Sequence, residues 1–324
     1  MTPLRIGLIG AGKHGSRYAR HIVIDLPEEL HLVALWRRDR VAGEAAARHY
    51  GCRYTPDIDA IVTAPDVDAV AIVVPPTLHA DICEAAAAGG KAILLEKPLA
   101  PSPADAERIG AALARNRVPF MVAHTLRFNT TVRAVRDRIL DIAPLHTIFL
   151  SQRFEQSPLV WLDQPSVSGG GIIIHTGVHS FDLLRFFTGA EAESAFCHAW
   201  RARSQNTEDN FVAHIALFGG ISTTVIGSRS TESRNGLIEV AGARGQLVAD
   251  HFHDFAYLIL GSTRTPIPIE PAVPTVREAL RAFARAIRTG TAPPISWQDG
   301  RAAVAIAEAC YRSLGLGRPV PVAS

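Results

Sequence analysis

Four places in the sequence carry residue types whose spacing suits chemistry. The first is GLIGAGKHG, in which Gly10, Gly12 and Gly15 stand as G-x-G-x-x-G. Between a strand and a helix, such glycines allow a tight turn, close backbone approach to a pyrophosphate, and close helix packing with the helix N-terminus toward the phosphates. Lys13 and His14 lie inside that loop and join the glycines as candidate dinucleotide contacts. The second place is VALWRRD, where an acidic side chain would bond the ribose hydroxyls and where Arg37 and Arg38 stand instead. Paired guanidinium groups suit a 2′-phosphate and one can stack on adenine, so NADP(H) is expected ahead of NAD(H). The competing reading makes both arginines solvated surface charges and puts Asp39 on the ribose.

The third place is VVPPTLHADICEAAAAGGKAILLEKPLA. It offers Pro75, Thr77 and His79 in a turn and helix start, then Glu96-Lys97-Pro98 at the end of a strand. The fourth is GGGIIIHTGVHSFD, in which His175, His179 and Asp182 are spaced i, i+4 and i+7 and so share one helix face, with the isoleucines read as a strand before it. The two histidines could hold a metal, exchange protons, or pack within a buried helix. Zinc would need a third ligand and a general base, and HTGVH lacks the glutamate of H-E-x-x-H, so no metal is expected. Lysine usage sharpens the choice: Lys13, Lys91 and Lys97 are the only lysines among 33 basic residues. Arginine cannot give up its proton, so a lysine kept in such a chain marks a place where a titratable ammonium matters. Lys13 and Lys91 read as surface turns, which leaves Lys97.

These residues need a scaffold. At 324 residues the chain calls for two domains. Through the first third, β-branched runs (LRIGLIG, HLVALW, DAVAIVV, KAILLE, PFMVAH) alternate with Ala/Arg-rich helical stretches, the pattern of βαβ units and a parallel sheet. After about residue 125 the rhythm changes to strands joined by short Gly-containing turns and backed by helices. The expected fold is α/β: a Rossmann dinucleotide-binding domain over 1–124, then an α+β domain over 125–324 with a large, mostly antiparallel open sheet, the last helix packing back on the first domain. That second domain is expected to bind substrate and to pair subunits as a homodimer or homotetramer, because an open sheet face is commonly covered by another subunit. No apolar run reaches the length of a membrane span, and MTP runs straight into a strand without a signal-like leader, so a cytoplasmic setting is expected. A formal charge of +2 without a basic block argues against nucleic acid or anionic membrane as partner, and four scattered cysteines against a disulfide framework.

With these motifs in place, the sequence resembles the glucose-fructose oxidoreductase, inositol dehydrogenase and MocA family of nicotinamide-dependent sugar and polyol oxidoreductases. The likeness is carried by the Gly10 to Gly15 fingerprint, EKP at 96 to 98, RFN at 127 to 129, the stretch 169 to 182, IEVAGARGQLVAD and GRPVPV. It implies that Lys97 bonds the substrate oxygen near the nicotinamide, that Glu96 lies beside the ring, and that His179 is the acid/base. A lysine partly desolvated near a cationic ring should have a lowered pKa and can exchange a proton. The chain departs from the family where an aspartate is usual: His175 stands there as a candidate catalytic and substrate-contacting residue, and leaves His179 without a carboxylate neighbour. Together with the arginine pair this favours the reductive direction. Arg127, Arg153 and Trp161 are the further substrate candidates, Arg127 with an interdomain salt bridge as its alternative. Two rival functions stay open, redox-assisted glycoside cleavage with retained NAD(H) and a non-catalytic dinucleotide sensor.

Overall fold

The structure, a computed structural model, describes residues 2–323. In chain order the elements are β1 (Leu4–Ile9), α1 (Gly15–Arg20), β2 (Leu30–Trp36), α2 (Arg40–Tyr50), β3 (Arg53–Tyr54), α3 (Asp59–Val62), β4 (Ala69–Ile72), α4 (His79–Ala88), β5 (Ala92–Glu96), α5 (Pro103–Asn116) and β6 (Phe120–Ala123). There follow α6 (Thr130–Ile142), β7 (Leu145–Glu155), α7 (Pro165–Ser168), α8 (Val178–Thr188), β8 (Ala192–Trp200), β9 (Asn210–Leu217), β10 (Ile221–Thr231), β11 (Asn235–Gly242), β12 (Gly245–Asp250), β13 (Phe255–Leu260), β14 (Thr263–Pro266), α9 (Thr275–Thr289), α10 (Trp297–Leu316) and β15 (Val320–Pro321). They form two compact units: residues 1–100 with 104–125 and 274–300, and residues 101–103 with 126–273 and 301–324.

The first unit is built on a six-stranded parallel sheet in the order β3-β2-β1-β4-β5-β6, the doubly wound arrangement of a Rossmann fold. Every residue of β4, β5 and β6 is buried, which is why AVAI, AILLE and FMVA read as continuous apolar runs rather than alternating ones. α9 belongs to this unit, although its sequence lies beyond the expected boundary at 124. Its buried residues Val276, Ala279, Leu280, Phe283 and Ala284 form an i, i+3, i+4, i+7, i+8 stripe, and Gly290 ends it in the left-handed conformation at φ 66°. Arg281 pairs with Glu29, and Ile295 accepts a backbone hydrogen bond from Val122 of β6, adding a segment to the sheet edge.

The second unit carries a nine-stranded sheet in the order β14-β13-β12-β11-β7-β10-β9-β8-β15. The β7–β10 pairing is parallel and every other pairing is antiparallel. α6 and α8 cover one face, against β12, β13 and β7. The opposite face is open. Across it runs one cross-strand row, Phe196, His214, Thr224, Phe149, Glu239, Val248 and Tyr257, each directly opposite the next. Phe196 and Trp200 on this face are both 43% exposed.

Candidate functional site

In the first unit the glycines of the β1–α1 loop divide into two kinds. Gly10 has φ +108°, and a Cβ there would lie 2.1 Å from the Val73 carbonyl oxygen; at Gly15 a Cβ would lie 1.8 Å from the Gly10 oxygen. Those two glycines are required by the turn itself. Around Gly12 nothing lies within 4 Å of the Cβ position, so the loop is open there to an approaching phosphate group, and the residues fit a dinucleotide. Lys13 and His14 are exposed beside it. Arg37 Nη1 donates to the Ala11 oxygen at 3.2 Å, which holds its guanidinium against the glycine loop. Arg38 is exposed. Asp39 caps α2, its Oδ1 accepting from the Ala42 N–H at 3.0 Å, and that engagement weakens the reading that gives it the ribose.

At the end of β5, Glu96 is buried and fully engaged: Oε1 accepts from Tyr18 Oη at 2.5 Å and His14 Nε2 at 2.7 Å, and Oε2 from the Lys97 N–H at 3.0 Å. Burial alone would raise its pKa. His14, the Lys97 charge and the Tyr18 hydroxyl outweigh burial and hold the carboxyl down at about 2. Lys97 follows half-buried, and the Lys97–Pro98 peptide is cis. Burial lowers the Lys97 pKa, against the pull of Glu96. Pro75 and Thr77 stand half-buried in the turn after β4.

Two expectations in this unit are corrected. His79, a candidate cofactor contact, is wholly buried, with Nδ1 3.0 Å from the Pro98 oxygen and Nε2 3.0 Å from the Val74 oxygen. Both ring nitrogens face main-chain carbonyls, so no edge of the ring is left for a ligand. Lys91, read as a surface lysine, is buried too. Its Nζ donates to the Ala64 and Val67 oxygens at 2.6 and 2.8 Å, closing the α3 end of the sheet.

In the second unit the stretch 169 to 182 turns out helical throughout its centre. Ile173–Gly177 is a π-helical turn leading straight into α8, and the isoleucines expected in a strand are buried in that turn and the residue before it. A π turn is wider than an α turn, so the single-face reading of His175 with His179 and Asp182 holds only for the residues of α8. A carboxylate that the sequence reading missed starts the turn. Glu208 Oε1 accepts from the Gly171 and Ile173 N–H groups, both at 3.1 Å, and from Tyr311 Oη at 2.8 Å. Gly171 has to be glycine, because a Cβ would meet the Glu208 oxygen at 2.1 Å. Nothing in the local pattern around Glu208 or Tyr311 announces this; both reach the loop through tertiary structure.

His175 is buried, and its ring meets Trp161 edge to face, centroids 5.5 Å apart, while His179 is half-buried on α8. Trp161 is itself half-buried, in the 3-10 turn Val160–Asp163. Asp163 anchors that turn by accepting from the N–H groups of Gln205 and Thr207 at 2.9 and 2.8 Å. Of the further substrate candidates Arg127 and Arg153, the first is engaged with a carboxylate of its own unit and the second lies on the open sheet face. Arg127 forms a two-pronged pair with Asp182, Nε to Oδ2 2.8 Å and Nη2 to Oδ1 2.6 Å, with side chains 11% and 1% exposed, and lies over the Phe186 ring at 5.3 Å. This pair lies within the second unit and accounts for the burial of both side chains. Gln152 points toward α8, donating to Ser180 Oγ at 3.0 Å; Arg153, next along an extended strand, therefore lies on the opposite, open face. Among the described residues no group of three or more His, Cys, Asp or Glu side chains is placed to hold a metal ion.

Comparison with known proteins agrees with this architecture. Residues 4–124 match the oxidoreductase family with an NAD-binding Rossmann fold, and residues 138–248 match the GFO/IDH/MocA C-terminal domain. The inositol 2-dehydrogenase of Rhizobium meliloti is 32% identical, over 99% of this chain and 99% of its own. The chain belongs to the GFO/IDH/MocA oxidoreductase family. A solved structure described as a putative myo-inositol dehydrogenase from Sinorhizobium meliloti 1021 superposes with a TM-score of 0.84 at 28% identity, covering 99% of this chain and 100% of that one. Levoglucosan dehydrogenase in complex with NADH and levoglucosan gives 0.90 at 22% identity with full coverage of both, a likeness of fold. The first unit of this family member is accordingly its nicotinamide-dinucleotide domain.

Proposed function

We propose that this protein interconverts a secondary alcohol and a ketone on a sugar, inositol or related polyol, with NADP preferred over NAD. The observation that carries the proposal is Lys97: a titratable amine half-buried at the C-terminal end of a parallel strand, in the same unit as an open phosphate loop, with its pKa lowered by burial. The bound nicotinamide supplies or takes up the hydride. Lys97 bonds the substrate oxygen and stabilises negative charge developing on it, and with His179 it takes up or returns the hydroxyl proton. Trp161 offers a flat apolar surface for a sugar ring, and His175 sets its angle from behind. Gly12, Lys13, His14 and the α1 N-terminus receive the pyrophosphate, while Arg37 and Arg38 receive a 2′-phosphate, Arg37 already braced by Ala11. The named activity of the Rhizobium relative supports the inositol class. The domain roles follow, residues 1–124 for the dinucleotide and 125–324 for substrate and subunit contact, with α9 serving the first.

The open sheet face with Phe196, Phe149 and Trp200 is the surface proposed for a homodimer or homotetramer contact. No helix among the described residues is long and apolar enough to cross a membrane, and a cytoplasmic enzyme is proposed. The test is a screen of cofactor reduction, and of its reversal with ketones, over sugars, inositols and their acids, with NAD and NADP in parallel. Lys97→Ala and His179→Ala should each lower kcat by at least about 100-fold. Turnover at the wild-type rate in Lys97→Ala would overturn the assignment of Lys97; clear preference for oxidation with NAD at neutral pH would overturn the cofactor and direction.

A further inference from the structure

His79 lies at a position that the reaction as proposed does not use, yet both its ring nitrogens lie within hydrogen-bond distance of main-chain carbonyls. Nδ1 is 3.0 Å from the Pro98 oxygen and 3.3 Å from the Leu99 oxygen, and Nε2 is 3.0 Å from the Val74 oxygen. A carbonyl oxygen only accepts, so each contact calls for an N–H on the ring: the neutral imidazole, which burial favours, donates to one of the two segments, and only the imidazolium donates to both. The Val74 oxygen belongs to the segment leaving β4, and Pro98 and Leu99 are the two residues that follow Lys97. The imidazole therefore lies between two main-chain segments.

The segment leaving β4 also bounds the phosphate loop. A Cβ on Gly10 would lie 2.1 Å from the Val73 oxygen and 2.9 Å from Val74 Cγ1, so the glycine turn and the lysine turn are both referenced to residues 73 and 74. The charged group that acts on His79 is Glu96, which is held in place by His14 and Tyr18. With the carboxylate fixed on one side, the His79 ring packs against the main chain after Lys97 on the other, at the Pro98 and Leu99 oxygens.

We infer that His79 is a positioning residue for Lys97: its imidazole ties the main chain immediately after the lysine to the end of β4, and so sets where the ammonium group is presented relative to the phosphate loop. The inference rests on the reading of Lys97 as the group that handles the substrate proton. Reacting groups displaced by about 1 Å can lose roughly 100-fold in rate. His79→Leu keeps the volume and removes both ends of the tie; His79→Asn keeps a donor on the Pro98 side and His79→Gln keeps one on the Val74 side.

Three readouts on the full chain test it, with Lys97→Met in parallel. Steady-state kinetics should show kcat of His79→Leu lowered by about 30- to 100-fold, and of the two amides by about 10-fold, with substrate KM within about threefold. The pH–rate profile should show the kinetic pKa assigned to Lys97 displaced in all three. NADH binding, followed by its fluorescence, should change by less than about threefold, because the tie does not touch the dinucleotide. Should His79→Leu fail to fold, the two amides carry the same expectations. Wild-type kcat and pH profile in a folded His79 variant overturn the inference. So does a tenfold loss of NADH affinity with kcat retained, which would make His79 a cofactor ligand after all. If Lys97→Met itself keeps wild-type kcat and pH profile, it is the reading of Lys97 that fails; if Lys97→Met is inactive and His79 variants behave as wild type, only the inference fails.

Discussion

Removing the carboxylate of Asp182 leaves the Arg127 guanidinium, 11% exposed, without its two-pronged acceptor. Breaking a buried pair from one side costs about 3–5 kcal/mol, because the remaining charge stays desolvated. Asp182→Ala should therefore lower stability by about that amount, and Arg127→Met by a similar amount, since it strands a carboxylate that is 1% exposed. The double variant Arg127→Met/Asp182→Leu replaces the pair with apolar groups and should return to within about 1–2 kcal/mol of wild type. A double-mutant cycle by urea unfolding, read from the transition of the second unit, gives the coupling directly, and about 3 kcal/mol or more is expected. The same double variant should keep its substrate KM, because neither side chain is proposed to touch substrate. Additive costs with no coupling, or a KM raised more than about tenfold in the well-folded double variant, would refute the structural assignment of Arg127 and restore it to the substrate site.

Gly12→Ala and Gly15→Ala should part company: the first leaves the thermal midpoint in place and weakens NADH binding, whereas the second forces a Cβ to 1.8 Å from the Gly10 oxygen and lowers stability by about 1–3 kcal/mol, as calorimetry and fluorescence titration can show. Glu96 falls from an ordinary value of 4.5 to about 2 in the folded chain, so its stabilising contribution is full above pH 4.5 and is lost as pH drops toward 2. Glu96→Gln should flatten that acid limb in urea midpoints measured across the window, and an unchanged slope would contradict the assignment. Arg37→Ala and Arg38→Ala should each weaken NADP binding by about 10- to 100-fold, with NAD affected far less. Equal losses for both cofactors would remove the case for NADP.

The sheet class, the place of the phosphate loop and the helical content of the tail were legible because each rests on local spacing. GLIGAGKHG sits where one period gives way to another, and TVREALRAFARAIRTG carries its apolar stripe and glycine stop within its own length. What escaped depends on partners far along the chain. Arg127 and Asp182 are 55 residues apart, and nothing near either names the other. The face on which Arg153 lies follows from strand parity anchored by Gln152 and Ser180, which a sequence does not show. Three β-branched isoleucines after a glycine run favour a strand locally, and a carboxylate from residue 208, bonding the N–H groups of Gly171 and Ile173, makes them begin a helix. His79 was noticed for its type, but only its burial shows that it serves the main chain.

The assembly of the first unit from three separate stretches has a consequence for how the protein comes into being. A ribosome delivers β1 through β6 early, yet α9 and the Ile295 carbonyl that bonds Val122 come about 150 to 170 residues later, so the nascent sheet must wait with the flank meant for Leu280 and Phe283 uncovered. A fragment cut after residue 124 would hold every glycine of the phosphate loop and all six strands, and would still lack part of its own core. Appending residues 274–300 to that fragment through a flexible linker should recover a soluble, NADH-binding domain where the shorter piece aggregates.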